Sequence, residues 1–258
     1  MRFRVFACSD RGCVRLNNED NFYASGIIRE DVNLPHIEYV SETEEKRLLF
    51  AVCDGMGGEV SGERASLAAV KAMSVDGGIT VEEEARINVS AANAAVNELQ
   101  AEINSTHSGT TLAAFAIDET QAIAYNLGDS RVYMCRDGEL CLLTHDHTMA
   151  NYLVDLGIIT VSQAEKNSSK NSLMKYVGMD SDVQLEPYFS EKLQLRGGDA
   201  FLLCSDGLYG LVDDETIRVE LASGQAVESI GRRLMTLALE AGGLDNVTVI
   251  VIQVQPYV

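Results

Sequence analysis

The chain has 258 residues, 46% of them apolar, enough to fill one large core without dividing it. With 39 acidic residues against 20 basic ones its formal net charge is −19, which repels a phosphate backbone and excludes nucleic acid as a natural partner. No run approaches the roughly 18 apolar residues of a membrane span, and the opening MRFRVFACSD lacks the apolar core and cleavage site of a secretory signal, so no membrane partner and a cytoplasmic location are expected.

In chain order, strand-like segments read FRVFACS, NFYASGII, LLFAVCD, TTLAAFAID, QAIAYNLGD, RVYMCRDG, DAFLLCSDG and NVTVIVIQV. Each is rich in β-branched and aromatic residues and bounded by Gly, Asn or Asp. Most connections are of hairpin length, which favours antiparallel pairing. Between the strands lie helical blocks. Ser61 is placed to cap a helix with Ala65, Ala68, Ala69, Ala72 and Met73 on one face. A second helix carries Glu82, Glu83 and Glu84 in its first turn, where they complement the dipole, then Val89, Ala92, Val96, Leu99 and Ile103. A third carries Val227, Ile230, Leu234, Leu237 and Ala241 and stops at Gly242-Gly243. Strands apolar on both faces need cover on both, which predicts an α+β fold: a layered α-β-β-α sandwich of two packed, mainly antiparallel sheets flanked by helix pairs.

No repeat, low-complexity block or proline-rich linker marks a boundary, so residues 1–258 are expected to form a single domain. The charged stretch 29–47 is expected to be a solvated excursion, an extra loop or hairpin, and residues 144–182 a mobile flap. The six cysteines are scattered without a CxxC pair and are read as reduced; neither they nor the four histidines show the spacing of a zinc site.

Carboxylates recur where strands begin or end: Glu19 and Asp20 in RLNNEDN, Asp54 in AVCDG, Asp129 in NLGDS, Asp206 in LLCSDG and Asp245 in GGLDN. Taken singly, Asp54-Gly55 and Asp206-Gly207 are ordinary turn formers. Converging at neighbouring strand ends, the same groups repel one another by several kcal/mol unless a cation sits among them, and all-oxygen ligands select Mg²⁺ or Mn²⁺.

Seven segments in order, SDRGCVRLNNEDN, AVCDGMGG, SGTTL, NLGDSRVY, LTHDHT, LLCSDGL and GGLDNVTVIV, resemble the motif series of the PPM family, the metal-dependent type 2C serine/threonine protein phosphatases, in its compact bacterial form. The resemblance implies two Mn²⁺ or Mg²⁺ ions bridged by Asp54, with Asp20, Asp206, Asp245 and the Gly55 carbonyl as further ligands and Glu19 acting through water. It implies Asp129, with Asp206, at a third, weaker metal, with Asn171 of the flap near it, and Arg15 as the phosphate-binding arginine. The implied reaction is hydrolysis of phosphoserine and phosphothreonine by direct attack of a dimetal-bridging hydroxide, on phosphorylated proteins including a cognate serine/threonine kinase and its substrates, by a monomer. Ser108 to Thr111 and Arg131 are read as structural.

Departures are visible. Met56 stands where many eukaryotic members have a proton-donating histidine, with His145 and His147 as candidate substitutes, and Asn167-Ser168 replaces the usual His-Pro of the flap. Two competing readings remain, a non-catalytic phosphoprotein-binding signalling module and a two-metal phosphatase of small phosphate esters.

Overall fold

The structure, a computed structural model, describes residues 1–57, 61–105, 107–180 and 182–255. Gly58 of the glycine run and Ser181 at the end of the expected flap therefore lie outside the described residues. The first half of the chain runs β1 (Arg2–Asp10), β2 (Asn21–Ala24), β3 (Ile27–Ile28), β4 (His36–Thr43), β5 (Arg47–Cys53), β6 (Gly55–Met56), α1 (Gly62–Ala72) and α2 (Val81–Ile103). There follow β7 (Gly109–Thr110), β8 (Leu112–Asp118), β9 (Gln121–Leu127), β10 (Arg131–Arg136), β11 (Glu139–Leu142), α3 (Met149–Asp155) and α4 (Val161–Ala164). The chain closes with β12 (Tyr188–Phe189), β13 (Leu193–Gln194), β14 (Ala200–Cys204), α5 (Asp206–Tyr209), α6 (Asp214–Leu221), α7 (Val227–Glu240) and β15 (Val247–Gln255).

Two antiparallel sheets stack face to face. One has the order β11-β10-β14-β15-β1-β4; the other runs β12-β9-β8-β5-β2-β3, with β13 also on β9. Strand periodicity sorts the side chains. On β15, Ile250 and Ile252 point between the sheets while Val249 and Val251 face α7, the double cover expected of NVTVIVIQV. The space between the sheets is filled by Phe3, Phe22, Phe50, Phe115 and Phe201, with the Phe115 and Phe201 rings 4.3 Å apart. Helices α1 and α2 cover the outer face of one sheet and α5, α6 and α7 that of the other. The α-β-β-α sandwich is thus the observed architecture. Among the described residues no helix is long and apolar enough to cross a membrane.

Local signals explain several joints. Ser25-Gly26 and Asp137-Gly138, each with two positive φ values, close the two-residue hairpins β2-β3 and β10-β11. Thr80 and Glu83 form a reciprocal capping box on α2, and Glu82 pairs with Lys192. Glu84, also in the first turn as expected, is buried and accepts from the Asp76 amide. Ser61 departs from expectation. It precedes α1, but its hydroxyl donates to the Gly57 carbonyl and caps no helix amide.

The stretch 29–47 is more structured than a solvated excursion. His36–Thr43 pairs with β1 from Asp10 to Phe3 as an edge strand whose Ile37 and Tyr39 pack on the inter-sheet core. Its charged residues occupy the outward positions, so composition concealed an alternating strand. At its start Arg29 is the largest fully buried side chain.

Truncating the ring stack tests the inter-sheet core. Phe201→Ala is expected to destabilise the fold by about 3–5 kcal/mol, read by urea denaturation, whereas the exposed Val219→Ala should lie within about 0.5 kcal/mol of the native chain.

Candidate metal centre

Antiparallel pairing brings the ends of five strands to one edge of the sandwich. Asp20 immediately precedes β2 and Asp54 immediately follows β5, in a pair where Asn21 faces Cys53. Asp129 follows β9, Asp206 follows β14 and Asp245 lies just before β15. The first three approach from one sheet and the last two from the other, so the carboxylates meet across the seam between the sheets.

Backbone contacts fix each one. The Asp54 amide donates to Thr111 Oγ1 at 2.9 Å, and its carbonyl accepts from Thr110 Oγ1 and the Thr111 amide, both at 2.9 Å. A methyl group at Gly55 would collide with the carbonyl oxygens of Glu19 and Gly62, so only glycine lets the three segments meet there. Gly207 packs equally tightly on the Asn246 carbonyl. Asn246 is a clamp: its Nδ2 donates to the carbonyls of Arg11 and Asn17, both at 2.8 Å, and its Oδ1 accepts from the Glu19 amide at 2.7 Å. The loop carrying Arg15 and Glu19 is thereby tied to the strand carrying Asp245.

Asp20 is fully buried. One oxygen accepts from Ser205 Oγ at 2.7 Å, in a buried network that runs through Thr248, Ser9 and Asn18. Its Oδ1, like Oδ1 of Asp206, is buried without a hydrogen-bond partner among the described residues. Burial, then the charges of Asp206 and Asp245, push the Asp20 carboxyl up to about 7. Burial and the neighbouring Asp20, Asp206, Asp129 and Asp245 raise Asp54 well above the usual carboxylate range. Asp129 rises to about 7 through burial and its neighbours Asp206 and Asp146. A cluster of oxygen donors with orphaned buried atoms and mutually raised pKa values fits a hard divalent cation.

Arg15 lies at the mouth of this cluster, its Nη2 2.6 Å from Asp245 Oδ2, with the guanidinium about half exposed. The Glu19 carboxylate sits against the first turn of α1 at Gly62, where burial and then Glu63 raise its pKa. A cavity of about 620 Å³ opens beside the cluster between α5 and the segment that follows β11. Asp129, Asp206 and Asp245 line one side and Lys170 and Asn171 the other.

Neither His145 nor His147 lines that cavity. His145 Nε2 pairs with Asp155 at 3.0 Å, and burial lowers His147 to about 4, so it is neutral at neutral pH. Met56 packs on Gly109 in the β6-β7 ribbon. Arg131 grips Asp146 with both sides of its fork, 2.7–3.2 Å, over the Tyr209 ring, consistent with the structural reading.

Three positioning residues escaped sequence reading: Asn246, Ser205 and above all Arg29. Its guanidinium donates to the carbonyls of Asn18 at 2.6 Å, Asp20 at 2.7 Å, and Val32 at 3.0 Å. A buried arginine inside a charged stretch looks like any solvated one in the sequence; the weak signal was its place just after the hairpin IIR.

Two outcomes are expected. Because the folded pKa values of Asp20, Asp54 and Asp129 lie above their unfolded values, the folded state holds more protons, so metal-free stability falls as pH rises from about 4 to 7. Differential scanning fluorimetry in chelator should show Tm dropping over that range, and added Mn²⁺ should raise Tm more at pH 8 than at pH 5. Arg29→Lys keeps the charge but loses the fork, and calorimetric titration should find Mn²⁺ binding weakened by about 10–100-fold.

Comparison with known proteins completes the picture. The family model described as protein phosphatase 2C matches residues 23–245. The serine/threonine protein phosphatase PstP of Mycobacterium tuberculosis is 36% identical over 261 residues, 98% of this chain and 45% of that protein, so the chain spans less than half the length of this relative. The protein phosphatase PhpP of Streptococcus pneumoniae is 34% identical over 210 residues, covering 79% of this chain and 84% of that protein. A solved structure of the PstP catalytic domain in complex with two manganese ions superposes with a TM-score of 0.79 at 35% identity, covering 99% of this chain and all of that one. With the two-sheet sandwich and its ring of strand-end aspartates already described, these matches show that the chain belongs to the protein phosphatase 2C family.

Proposed function

We propose that the chain is a Mg²⁺- or Mn²⁺-dependent phosphatase of phosphoserine and phosphothreonine in proteins. The observation that carries this reading is the convergence of five aspartates from two sheets, three of them lining a cavity, with Arg15 paired to Asp245. The relatives named as serine/threonine phosphatases, and the two manganese ions held by PstP, support it.

In this reading Asp54, Asp20, Asp206, Asp245 and the Gly55 carbonyl would together hold two ions, with Asp54 at the centre of the set. When bound, two such ions supply an acidified water nucleophile and neutralise charge on the phosphoryl group. The residues of the chain do the rest. The rigid Thr110 and Thr111 contacts keep Asp54 aimed without reorganisation. Arg15 engages Asp245 through Nη2 and keeps its remaining N–H donors for phosphoryl oxygens. Glu19 orients water from its place against α1. Asp129 and Asp206, facing Asn171 across the cavity, form the third, weaker site. With Met56 inert and the two histidines outside the cavity, the leaving alkoxide takes its proton from water held at the carboxylate cluster.

Residues 144–182 act as a mobile flap that sets substrate preference, since they supply the far wall of the cavity. Phosphorylated proteins are the substrates, among them a cognate serine/threonine kinase, and the chain works as a monomeric signalling enzyme. All six cysteines are free thiols, which supports a reducing, cytoplasmic setting.

The deciding assay is hydrolysis of a phosphothreonine peptide with Mn²⁺, with Mg²⁺ and with chelator. Turnover should require metal, and a folded Asp54→Asn variant should lose about a thousandfold in rate, several kcal/mol of transition-state stabilisation. Arg15→Lys should raise KM about tenfold with a smaller change in kcat. Binding without turnover in saturating metal points to a phosphoprotein-binding module, and a higher kcat/KM for nucleotides or sugar phosphates points to small-ester hydrolysis.

A further inference from the structure

The edge strand β4 does more than extend a sheet. In its antiparallel register with β1, Cys8 faces Glu38 and Asp10 faces His36. Alternate residues of a strand share a face, so these four side chains form a two-by-two block on one side of the sheet, beside α7. A thiol, an imidazole and a carboxylate thereby meet: one atom from each of Cys8, His36 and Glu38 lies within 4.8 Å of the other two.

The geometry points to a zinc-type site here, with Cys8 Sγ, His36 Nε2 and a Glu38 oxygen as three protein ligands and a fourth position open to solvent. A tetrahedral zinc with bonds of about 2.3 Å to sulfur and about 2.0–2.2 Å to nitrogen and oxygen spaces its ligand atoms roughly 3.4–3.6 Å apart. Nε2 is 3.5 Å from Glu38 Oε1, within that spacing, while Cys8 Sγ is 4.0 Å from both ring nitrogens of His36, so a small rotation of the ring or thiol must bring Sγ toward Nε2 on binding. The surroundings favour the site. Asp10 Oδ2 sits 2.8 Å from His36 Nδ1, the carboxylate that fixes the tautomer with Nδ1–H donating and leaves the Nε2 lone pair for a metal. Arg232 holds Glu38 with its fork at 2.9–3.2 Å, and a carboxylate so held retains lone pairs for a cation. The two positive charges of the ion together with Arg232 balance the Cys8 thiolate, Glu38 and Asp10.

Cys8 is buried while His36 and Glu38 are partly exposed, so entry is from the strand edge. Binding displaces the Cys8 thiol proton to solvent as the sulfur–metal bond forms. Thiolate and imidazole donors select zinc or cobalt over the hard ions suited to the all-oxygen aspartate cluster, so the two sites discriminate by ligand chemistry.

Cobalt is the probe, because a thiolate–Co²⁺ bond gives a charge-transfer absorption that oxygen ligands do not. Anaerobic Co²⁺ titration of the whole chain should produce this band at one equivalent, and Zn²⁺ should abolish it by displacement. Asp54→Asn should keep the band; Cys8→Ser and His36→Gln should lose it, with His36→Gln lowering affinity at least tenfold. His36 is partly exposed, so that variant is expected to fold, and with Asp54→Asn in both backgrounds Zn²⁺ should raise Tm more with His36 present than in His36→Gln. Absence of the band in the native chain, or its persistence in His36→Gln, where the exposed Cys13 and Cys141 remain, would overturn the assignment.

Discussion

Five aspartates pressed together at one edge of two sheets repel one another, and the rest of the molecule is arranged to keep them there. The raised pKa values of Asp20, Asp54 and Asp129 reflect burial first and that repulsion second, and one oxygen each of Asp20 and Asp206 is buried without a protein donor among the described residues. Such a cluster persists only if the backbone around it is held more strongly than the charges push. Hydrogen bonds made with Thr110, Thr111, Ser205, Asn246 and Arg29, buried or part-buried, provide that hold. Glycines at 55 and 207 remove the last steric obstacles to close approach.

The sandwich turns this local problem into a stable geometry. Asp20, Asp54 and Asp129 belong to one sheet and Asp206 and Asp245 to the other, so the spacing across the seam depends on how the sheets stack. The phenylalanines between them therefore support the site as well as the fold. A rigid seam with a cavity beside it suits chemistry in which charge is positioned beforehand, as family membership implies.

Strand β4, at the edge of the sheet that carries β14 and β15, and the segment before it lie next to the centre. Arg29, at the start of that segment, clasps the loop that carries Asp20, and Arg11 donates its amide to the Pro35 carbonyl. A segment that looks like a charged insertion thus buttresses the loop carrying Asp20 on one side and presents His36 and Glu38 on the other.

The sequence by itself determined the elements and the acids. Apolar periodicity marked eight strands and three helices, and Asp54, Asp206 and Asp245 could be read as candidates because each ends or precedes an apolar run. Those signals are local, carried by residues within one turn or one strand. Tertiary structure alone decided the rest: that Asp10 pairs with His36, that Arg29 is buried, that Asn246 clamps two loops and that Ser61 turns away from its helix. Each depends on contacts between residues distant in the chain or on burial of a polar group by its neighbours. A charged side chain carries the same sequence signal whether water or a ring of carbonyls receives its hydrogen bonds, and only the packed fold makes that choice.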